Sequence, residues 1–262
     1  MGENEQGGML RVVIVVGLIA ILITAVFGGL AYVKASSSDN VSMSVKNTAV
    51  VKAGNQTNYT DDAATSKFTY TDYNASAKTV TITGLKAVNG VQRGQMIIPA
   101  HVVNGGVTYD VTAIGDSAFD NLGMSSVIFP KTLKTIGASA FHHDISIQSL
   151  SIPDSVISVG EDAFYGDSNL QYVRWSPNTS VMSRDVFGST SIREMTIPEG
   201  VTKIEELAIT GGKLTKISLP STLTFIDTNG ITAGGDLVVH KGNTGITYPS
   251  GSINVSGQII YE

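Results

Sequence analysis

The most apolar part of the chain lies near its N-terminus. Residues 12–33 carry no charged side chain and lie between Arg11 and Lys34. An α-helix of these 22 residues is about 33 Å long, which matches a hydrocarbon core of about 30 Å. A cleaved signal peptide has a shorter apolar region after a basic segment, whereas residues 1–8 here are acidic. The pattern predicts a short tail over residues 1–11 and a single transmembrane helix over residues 12–33.

The charges beside this helix leave its orientation open. Arg11 and Lys34 balance one another, so the positive-inside rule does not decide the orientation. Six Asn-x-Ser/Thr sequences all lie on the C-terminal side and are candidate glycosylation sites. They are Asn40, Asn55, Asn58, Asn74, Asn178 and Asn254. We therefore expect a single-pass protein of the cell membrane whose C-terminal domain is extracellular.

Two segments separate the apolar stretch from the rest of the chain. Residues 34–66 are polar, without a sustained helical or strand period, and predict a stalk. In residues 67–106, alternating segments at 68–70 and 79–83 flank a turn-rich sequence. This region predicts a β-rich N-terminal cap that contains a hairpin.

Short apolar runs then recur with a period of about 22 residues. Six of the seven prolines close or nearly close such runs: Pro99, Pro130, Pro153, Pro177, Pro198 and Pro220. The last five of them are 23, 24, 21 and 22 residues apart. A second series, of Ile-like residues each followed five positions later by Phe or Ile, has spacings of 22, 23, 23, 22 and 22. Its members are Ile114, Ile136, Val159, Met182, Ile204 and Ile226. Two series with one period indicate a repeat architecture.

Each repeat unit has a strand-like half and a return half. In the run that ends at Pro153, Leu150 and Ile152 point to one side of a strand, and Ser149 and Ser151 to the other. Proline ends the strand because it has no N–H for a ladder. One coil cannot bury its apolar side alone, so stacked coils have to form the core.

Units such as residues 132–141 and 155–164, each with an Ile-Gly or Val-Gly followed by Ala-Phe, resemble the BspA-type leucine-rich repeat. The resemblance extends over residues 95–240 and weakens in the last two units, which lose the Gly and the Phe. It implies a mainly β fold, a solenoid of about six coils of 22–24 residues with a parallel sheet. We place the repeats at residues 107–240 and a C-terminal cap at residues 241–262. The resemblance also implies a cell-surface protein that binds ligands and performs no chemistry.

Composition excludes several classes of function. The net charge is −5, with 17 Lys+Arg against 22 Asp+Glu, so no basic surface for nucleic acid is expected. Only 15% of residues are charged, against about 25% in an average soluble protein. The absence of cysteine excludes disulfides, thiolate metal sites and cysteine nucleophiles.

Enzyme signatures are weak, and we predict no catalytic residues, no cofactor and no metal. His142-His143-Asp144 is the strongest metal-like sequence, but adjacent histidines point in different directions and a loop between coils explains it. The acidic pair at residues 61–62 lacks the ligand spacing of a calcium site. No Gly-x-Ser-x-Gly sequence marks a nucleophile. Trp175 occupies an inward strand position and is expected in the core.

The outward residues of the strands form the candidate ligand-binding face. Alternation gives a row of Gln95, Ser126, Ser149, Tyr172, Glu194 and Lys216, and a second row of Ile97, Ile128, Ser151, Arg174, Thr196, Ser218 and Val238. Adjacent strands are about 4.8 Å apart, so Tyr172, Glu194 and Lys216 should line up with Arg174 beside Glu194. Tyr and Arg often anchor protein contacts. A solvated face whose charges satisfy one another is the alternative interpretation.

Two functions fit these observations. The first is a membrane-anchored extracellular adhesion or binding module that presents the solenoid face to a protein or glycan ligand. The second is a pilin-like structural subunit whose N-terminal helix bundles into a surface filament. Both allow self-association through the helix. Against the second, residues 1–8 contain no basic residue before the apolar stretch, and Val13 stands where bacterial pilins carry a glutamate.

Overall fold

The computed structural model describes residues 11–16, 19–24, 59–64, 66–86, 94–241 and 249–261. The chain divides into two compact units, residues 1–45 and 46–262. In the first unit, strands β1 (Arg11–Val16) and β2 (Ile19–Thr24) form an antiparallel pair in which Val13 lies opposite Leu22.

The predicted transmembrane helix over residues 12–33 therefore differs from the structure at residues 12–16 and 19–24, which are strands. Val and Ile dominate both segments, and their branched side chains favour strands over helices. Residues 17–18 and 25–33 lie outside the described residues. Among the described residues, no helix has the length and apolar character needed to cross a membrane.

The second unit begins with a small mixed sheet. Its strands are β3 (Thr60–Asp62), β4 (Phe68–Asn74), β5 (Thr79–Leu85), β7 (His101–Asn104) and β8 (Val107–Ile114). Strands β4 and β5 form the predicted hairpin, and β5 pairs in parallel with β8. Strand β7 pairs antiparallel to β8 and parallel to β3, so residues of the predicted stalk join the sheet of the cap. Residues 34–58 of the stalk lie outside the described residues.

The remaining strands are short and come from successive coils. The three-residue strands are β6 (Gln95–Ile97), β9 (Ser126–Ile128), β11 (Ser149–Ser151), β13 (Tyr172–Arg174), β15 (Glu194–Thr196), β20 (Ile231–Ala233), β22 (Ile253–Val255) and β23 (Ile259–Tyr261). The two-residue strands are β10 (Thr135–Ile136), β12 (Ser158–Val159), β14 (Val181–Met182), β16 (Lys203–Ile204), β17 (Ile209–Thr210) and β19 (Phe225–Ile226). Longer ones are β18 (Lys216–Leu219) and β21 (Leu237–Lys241).

These strands pair in parallel with their equivalents in the next coil, as a solenoid requires. One side carries the ladders β6-β9, β11-β13 and β15-β18-β21-β23. Another side carries β8-β10-β12 and β14-β16-β19, and a third carries β17-β20-β22. The predicted mainly β solenoid with parallel pairing is confirmed. Strands β22 and β23, within the predicted C-terminal cap, continue two of these ladders.

Backbone hydrogen bonds also join the corners of successive coils. Asn121 N donates to His142 O at 2.7 Å, His143 N to Tyr165 O at 2.8 Å and Gly166 N to Gly188 O at 2.9 Å. The bonded residues are 21 or 22 residues apart, so the repeat period sets which side chains become neighbours.

The core contains a column of phenylalanine rings, one from each of four successive coils. Phe119, Phe141, Phe164 and Phe187 are fully buried. Successive ring centroids are 5.3, 5.5 and 5.8 Å apart. Burial of each ring contributes about 1.5–3 kcal/mol. Trp175 is buried as predicted, and its ring and that of Phe187 form a T-shaped contact.

Candidate ligand-binding face

The outward positions of the β6-to-β23 side form two rows that follow the strand register. We call the row of Gln95, Ser126, Ser149, Tyr172, Glu194, Lys216, Val238 and Ile260 the first row. We call the row of Ile97, Ile128, Ser151, Arg174, Thr196, Ser218 and His240 the second row. The pairs Ser149–Tyr172, Ser151–Arg174 and Glu194–Lys216 are aligned as the alternation predicts.

Val238 occupies a different row from the predicted one. It pairs with Lys216 and so lies in the first row, whereas His240 pairs with Ser218 in the second. The reason is that Val238 lies one repeat period of 22 residues after Lys216, and not after Ser218.

The predicted continuous line through Tyr172, Glu194 and Lys216 is interrupted. Strand β13 pairs with β11, and β15 pairs with β18, in separate ladders. The two coils are still joined just before these strands, where Ser191 N donates to Leu170 O at 3.0 Å. The face therefore contains a Ser149–Tyr172 part and a Glu194–Lys216 part.

Arg174 bonds to two residues other than Glu194, which is the neighbour predicted from the sequence. Its Nη2 donates to Asp154 Oδ1 at 2.5 Å, and its Nη1 donates to Ile152 O at 3.0 Å. Both partners belong to the preceding coil, so the guanidinium turns away from Glu194 toward the end of β11. Asp154 was missed in the sequence because it follows the strand-ending Pro153 and belongs to neither row.

The face is polar in its centre and apolar toward both ends. Glu194, Thr196 and Lys216 are exposed, and Tyr172, Arg174, Ser149 and Ser151 are half-buried. Toward the ends, Ile97 and Ile260 are 39% and 42% exposed. Such a surface offers hydrogen bonds to a ligand in the middle and apolar contact toward its ends.

Asp144 lies in the core and not beside the two histidines that precede it. Its Oδ1 accepts from Gly123 N at 2.7 Å, and its own N–H donates to Asp167 Oδ1 at 2.7 Å. Burial raises the pKa of Asp144 to about 7, although backbone hydrogen bonds from Met124, Gly123 and Leu122 oppose the increase. Burial raises the pKa of Asp167 to about 9, and the Asp144 carboxylate adds to this increase. These aspartates link coils inside the protein and present no group to a ligand.

Asp61, one of the acidic pair, forms hydrogen bonds within the N-terminal cap. Its carboxylate accepts hydrogen bonds from the hydroxyls of Tyr59, Ser66 and Tyr70. Partial burial acts to raise the pKa of Asp61, but these hydrogen bonds outweigh it and the pKa is lowered. The cluster closes the loop before β4 and leaves little of this carboxylate for a cation.

The described glycosylation candidates differ in their hydrogen bonds. Asn178 Nδ2 donates to Asp154 O at 2.7 Å, and Asn254 Nδ2 donates to Asn229 Oδ1 at 3.2 Å. Asn74 instead uses Oδ1, which accepts from the backbone N–H of Ser76 and Ala77. Asn40, Asn55 and Asn58 lie outside the described residues.

Known proteins resemble this chain in its repeats. Residues 112–232 match the family model of the BspA type leucine-rich repeat region in 6 copies. The leucine-rich repeat protein of T. pallidum is 17% identical, with 74% of this chain and 83% of that chain covered and a TM-score of 0.54. A leucine-rich cell surface protein from Faecalibacterium prausnitzii is 17% identical, with 74% of each chain covered and a TM-score of 0.35. No curated protein matches the sequence.

The T. pallidum structure supports the fold, and the family match rests on the repeats themselves. The matched region contains strands β9 to β19 and four rings of the phenylalanine column. Residues 112–232 of this chain belong to the BspA-type leucine-rich repeat family.

Proposed function

We propose that the protein is a membrane-attached extracellular binding or adhesion module that presents the first and second rows to a protein or glycan ligand. The observation that carries this proposal is the neighbouring pair Tyr172 and Arg174, with the guanidinium held at 2.5 Å from Asp154. No catalytic step is part of the proposed function.

The immediate surroundings of this pair favour a ligand. Ser149 and Ser151 lie beside Tyr172 and Arg174 in the ladder, and the Arg174 side chain is 28% exposed. Asp154 already holds the Arg174 side chain in place. Ligand binding to Arg174 therefore costs less side-chain conformational entropy. A half-buried Tyr beside an ordered Arg is the type of pair that dominates binding energy in protein interfaces.

Membrane attachment is the second part of the proposal and rests on the sequence. Residues 12–33 contain 22 uncharged residues, enough to partition into a bilayer, and the six candidate glycosylation sites lie C-terminal to them. We expect the full chain to remain in the membrane fraction after carbonate washing. Protease added to intact cells should remove the repeats. A chain found in the wash would contradict attachment and leave the binding proposal intact.

The binding proposal is tested with the full chain in detergent, screened against a glycan array and immobilised extracellular-matrix proteins. A double variant, Tyr172→Ala with Arg174→Ala, should abolish the binding found. The matched control is Tyr59→Ala with Arg184→Ala, because Tyr59 is exposed and Arg184 is likewise paired with an acid, Glu161, away from the rows. Binding that persists in the first variant would remove this face as the ligand site.

The described residues contain no observation that favours the pilin-like subunit. N-terminal sequencing of the native protein separates the two functions. A mature chain that begins at Met9 and is recovered in filaments would support the subunit.

A further inference from the structure

Asp120, His142 and His143 place three metal-ligating atoms together at one corner of the solenoid. His142 Nδ1 lies 3.0 Å from Asp120 Oδ1 and 3.1 Å from His143 Nδ1. The ligand atoms of the three residues all lie within 4.8 Å of one another. Asp120 and His143 are exposed, and His142 is half-buried.

The two adjacent histidines, expected from the sequence to diverge, converge in the structure. They do so because His143 adopts a φ of 59°, in the left-handed region that histidine tolerates better than most residues. Their ring centroids are 3.9 Å apart. Asp120 joins them from the preceding coil because it lies 22 residues before His142, one repeat period away.

The next coil holds the two rings in place. The Tyr165 ring stacks on His142 at 5.5 Å and meets His143 edge-on at 5.8 Å. Residue 166 is glycine, and a Cβ there would overlap Cδ2 of His143. The glycine therefore leaves the space that the second imidazole occupies. Side chains packed in this way offer ligand atoms in fixed positions.

The three atoms cannot all form hydrogen bonds with one another, because His142 Nδ1 faces both of the others. An imidazole Nδ1 either carries one proton or offers one lone pair. If His142 Nδ1 carries the proton, that proton is shared between the Asp120 carboxylate and His143 Nδ1. If it does not, its lone pair faces the lone pairs of the carboxylate. A cation between the atoms converts every lone pair into a favourable contact.

We propose that Asp120, His142 and His143 bind a divalent transition-metal ion, with Zn²⁺ as the best fit. Two imidazole nitrogens and one carboxylate oxygen suit Zn²⁺ better than Mg²⁺ or Ca²⁺. Zn²⁺–N bonds of about 2.0–2.1 Å at tetrahedral angles separate neighbouring ligand atoms by about 3.3 Å. The observed separations of 3.0 and 3.1 Å are close to that value. The exposed side of the cluster gives the fourth position to water or to a group from another molecule.

The test is calorimetric titration of ZnCl₂ into the full chain, purified without a histidine tag. The chain has four histidines and no cysteine, so few other groups compete for the ion. We expect one saturable site. His142→Gln and His143→Gln should each weaken its affinity by at least about 100-fold, since losing even an outer partner of a ligand costs about 10–100-fold.

His101→Gln is the matched control. His101 is also paired with an aspartate, with Nδ1 2.8 Å from Asp110 Oδ1, but no second histidine joins that pair in the described residues. Its substitution should leave Zn²⁺ affinity unchanged. Asp120→Asn, which keeps the shape of the side chain and both rings, should weaken affinity by about 10-fold or more.

A circular dichroism spectrum of each variant shows whether the solenoid is folded. The visible spectrum of bound Co²⁺ reports the geometry independently, and we expect a tetrahedral band that His142→Gln abolishes. The proposal is overturned if the full chain binds no Zn²⁺, or if both His142→Gln and His143→Gln keep the affinity of His101→Gln.

Discussion

Gly160 lies against the backbone of Ala138 in the preceding coil, so closely that a Cβ built on Gly160 would lie 2.5 Å from Ala138 N. Gly137 lies equally close to the coil before it, because a Cβ built there would lie 2.6 Å from Asp116 N. At residues 137 and 160, glycine is therefore required by the approach of one coil to the next. Backbone atoms cannot move aside as a flexible side chain can.

Gly160→Ala should consequently destabilise the protein by about 1–3 kcal/mol, the range for overpacking. Gly212→Ala is the control, because a Cβ there meets nothing within 4 Å. We expect that change to be neutral or slightly stabilising, since alanine restricts the unfolded chain. Urea denaturation followed by circular dichroism measures both. Equal unfolding free energies for the two variants would contradict the close-approach explanation.

The phenylalanine column provides a second prediction. Phe164 is fully buried between Phe141 and Phe187, so Phe164→Ala should cost about 3–5 kcal/mol. Phe225→Ala makes the same change at a ring that is 36% exposed and should cost much less. The same denaturation measurement compares them. Similar losses would mean that the column contributes no more than a surface ring.

Asp167 makes stability depend on pH. Its folded pKa of about 9 lies above the ordinary value of 3.8, so the folded protein holds a proton that the unfolded chain releases. This contribution to stability is complete below about pH 3.8 and is lost as the pH rises toward about 9. Asp167→Asn imitates the protonated form and should raise the unfolding free energy at pH 9 by about 1–3 kcal/mol.

The control for Asp167→Asn is Asp72→Asn, the same change at an exposed residue. This control substitution should not change how the unfolding free energy depends on pH. A decrease in stability at pH 9 on Asp167→Asn would show that the carboxylate is charged and favourable in the folded protein.

Glycan attachment should differ among the three described candidates. Attachment to Asn178 replaces one of its two Nδ2 hydrogens, and replacing the one bonded to Asp154 O costs about 0.5–1.5 kcal/mol. Asn74 uses its Oδ1 in the folded protein, so its Nδ2 is the better acceptor. Glycopeptide mass spectrometry of the native protein should find higher occupancy at Asn74 than at Asn178 or Asn254. Higher occupancy at Asn178 would contradict this ranking.

The sequence was sufficient for those features that follow from backbone periodicity. The pairing of Ser149 with Tyr172 and of Glu194 with Lys216 could be predicted because alternation and a fixed period are properties of the strand and the coil. The partner of Arg174 could not be predicted, because a long flexible side chain reaches several acids and tertiary packing selects among them. The convergence of His142 and His143 depends on one left-handed φ, which the identity of a residue does not determine.

The N-terminal segment shows a different limit. A continuous apolar sequence rich in Val and Ile fits both a membrane helix and a pair of strands, and periodicity does not distinguish them. Length favoured the helix, whereas residues 11–16 and 19–24 form β1 and β2. Branched side chains are the sequence signal that favoured strands.

Because the same hydrogen bonds join the corners of successive coils, the length of the solenoid can change by whole coils. Each coil bonds to its neighbour through backbone groups at fixed positions, such as Asn121 N with His142 O and His143 N with Tyr165 O. Duplicating one internal coil would therefore lengthen the exposed rows by one strand spacing, about 4.8 Å, and keep the same kinds of bonds on both sides. The number of coils therefore determines the largest distance between two points on a ligand that the rows can contact.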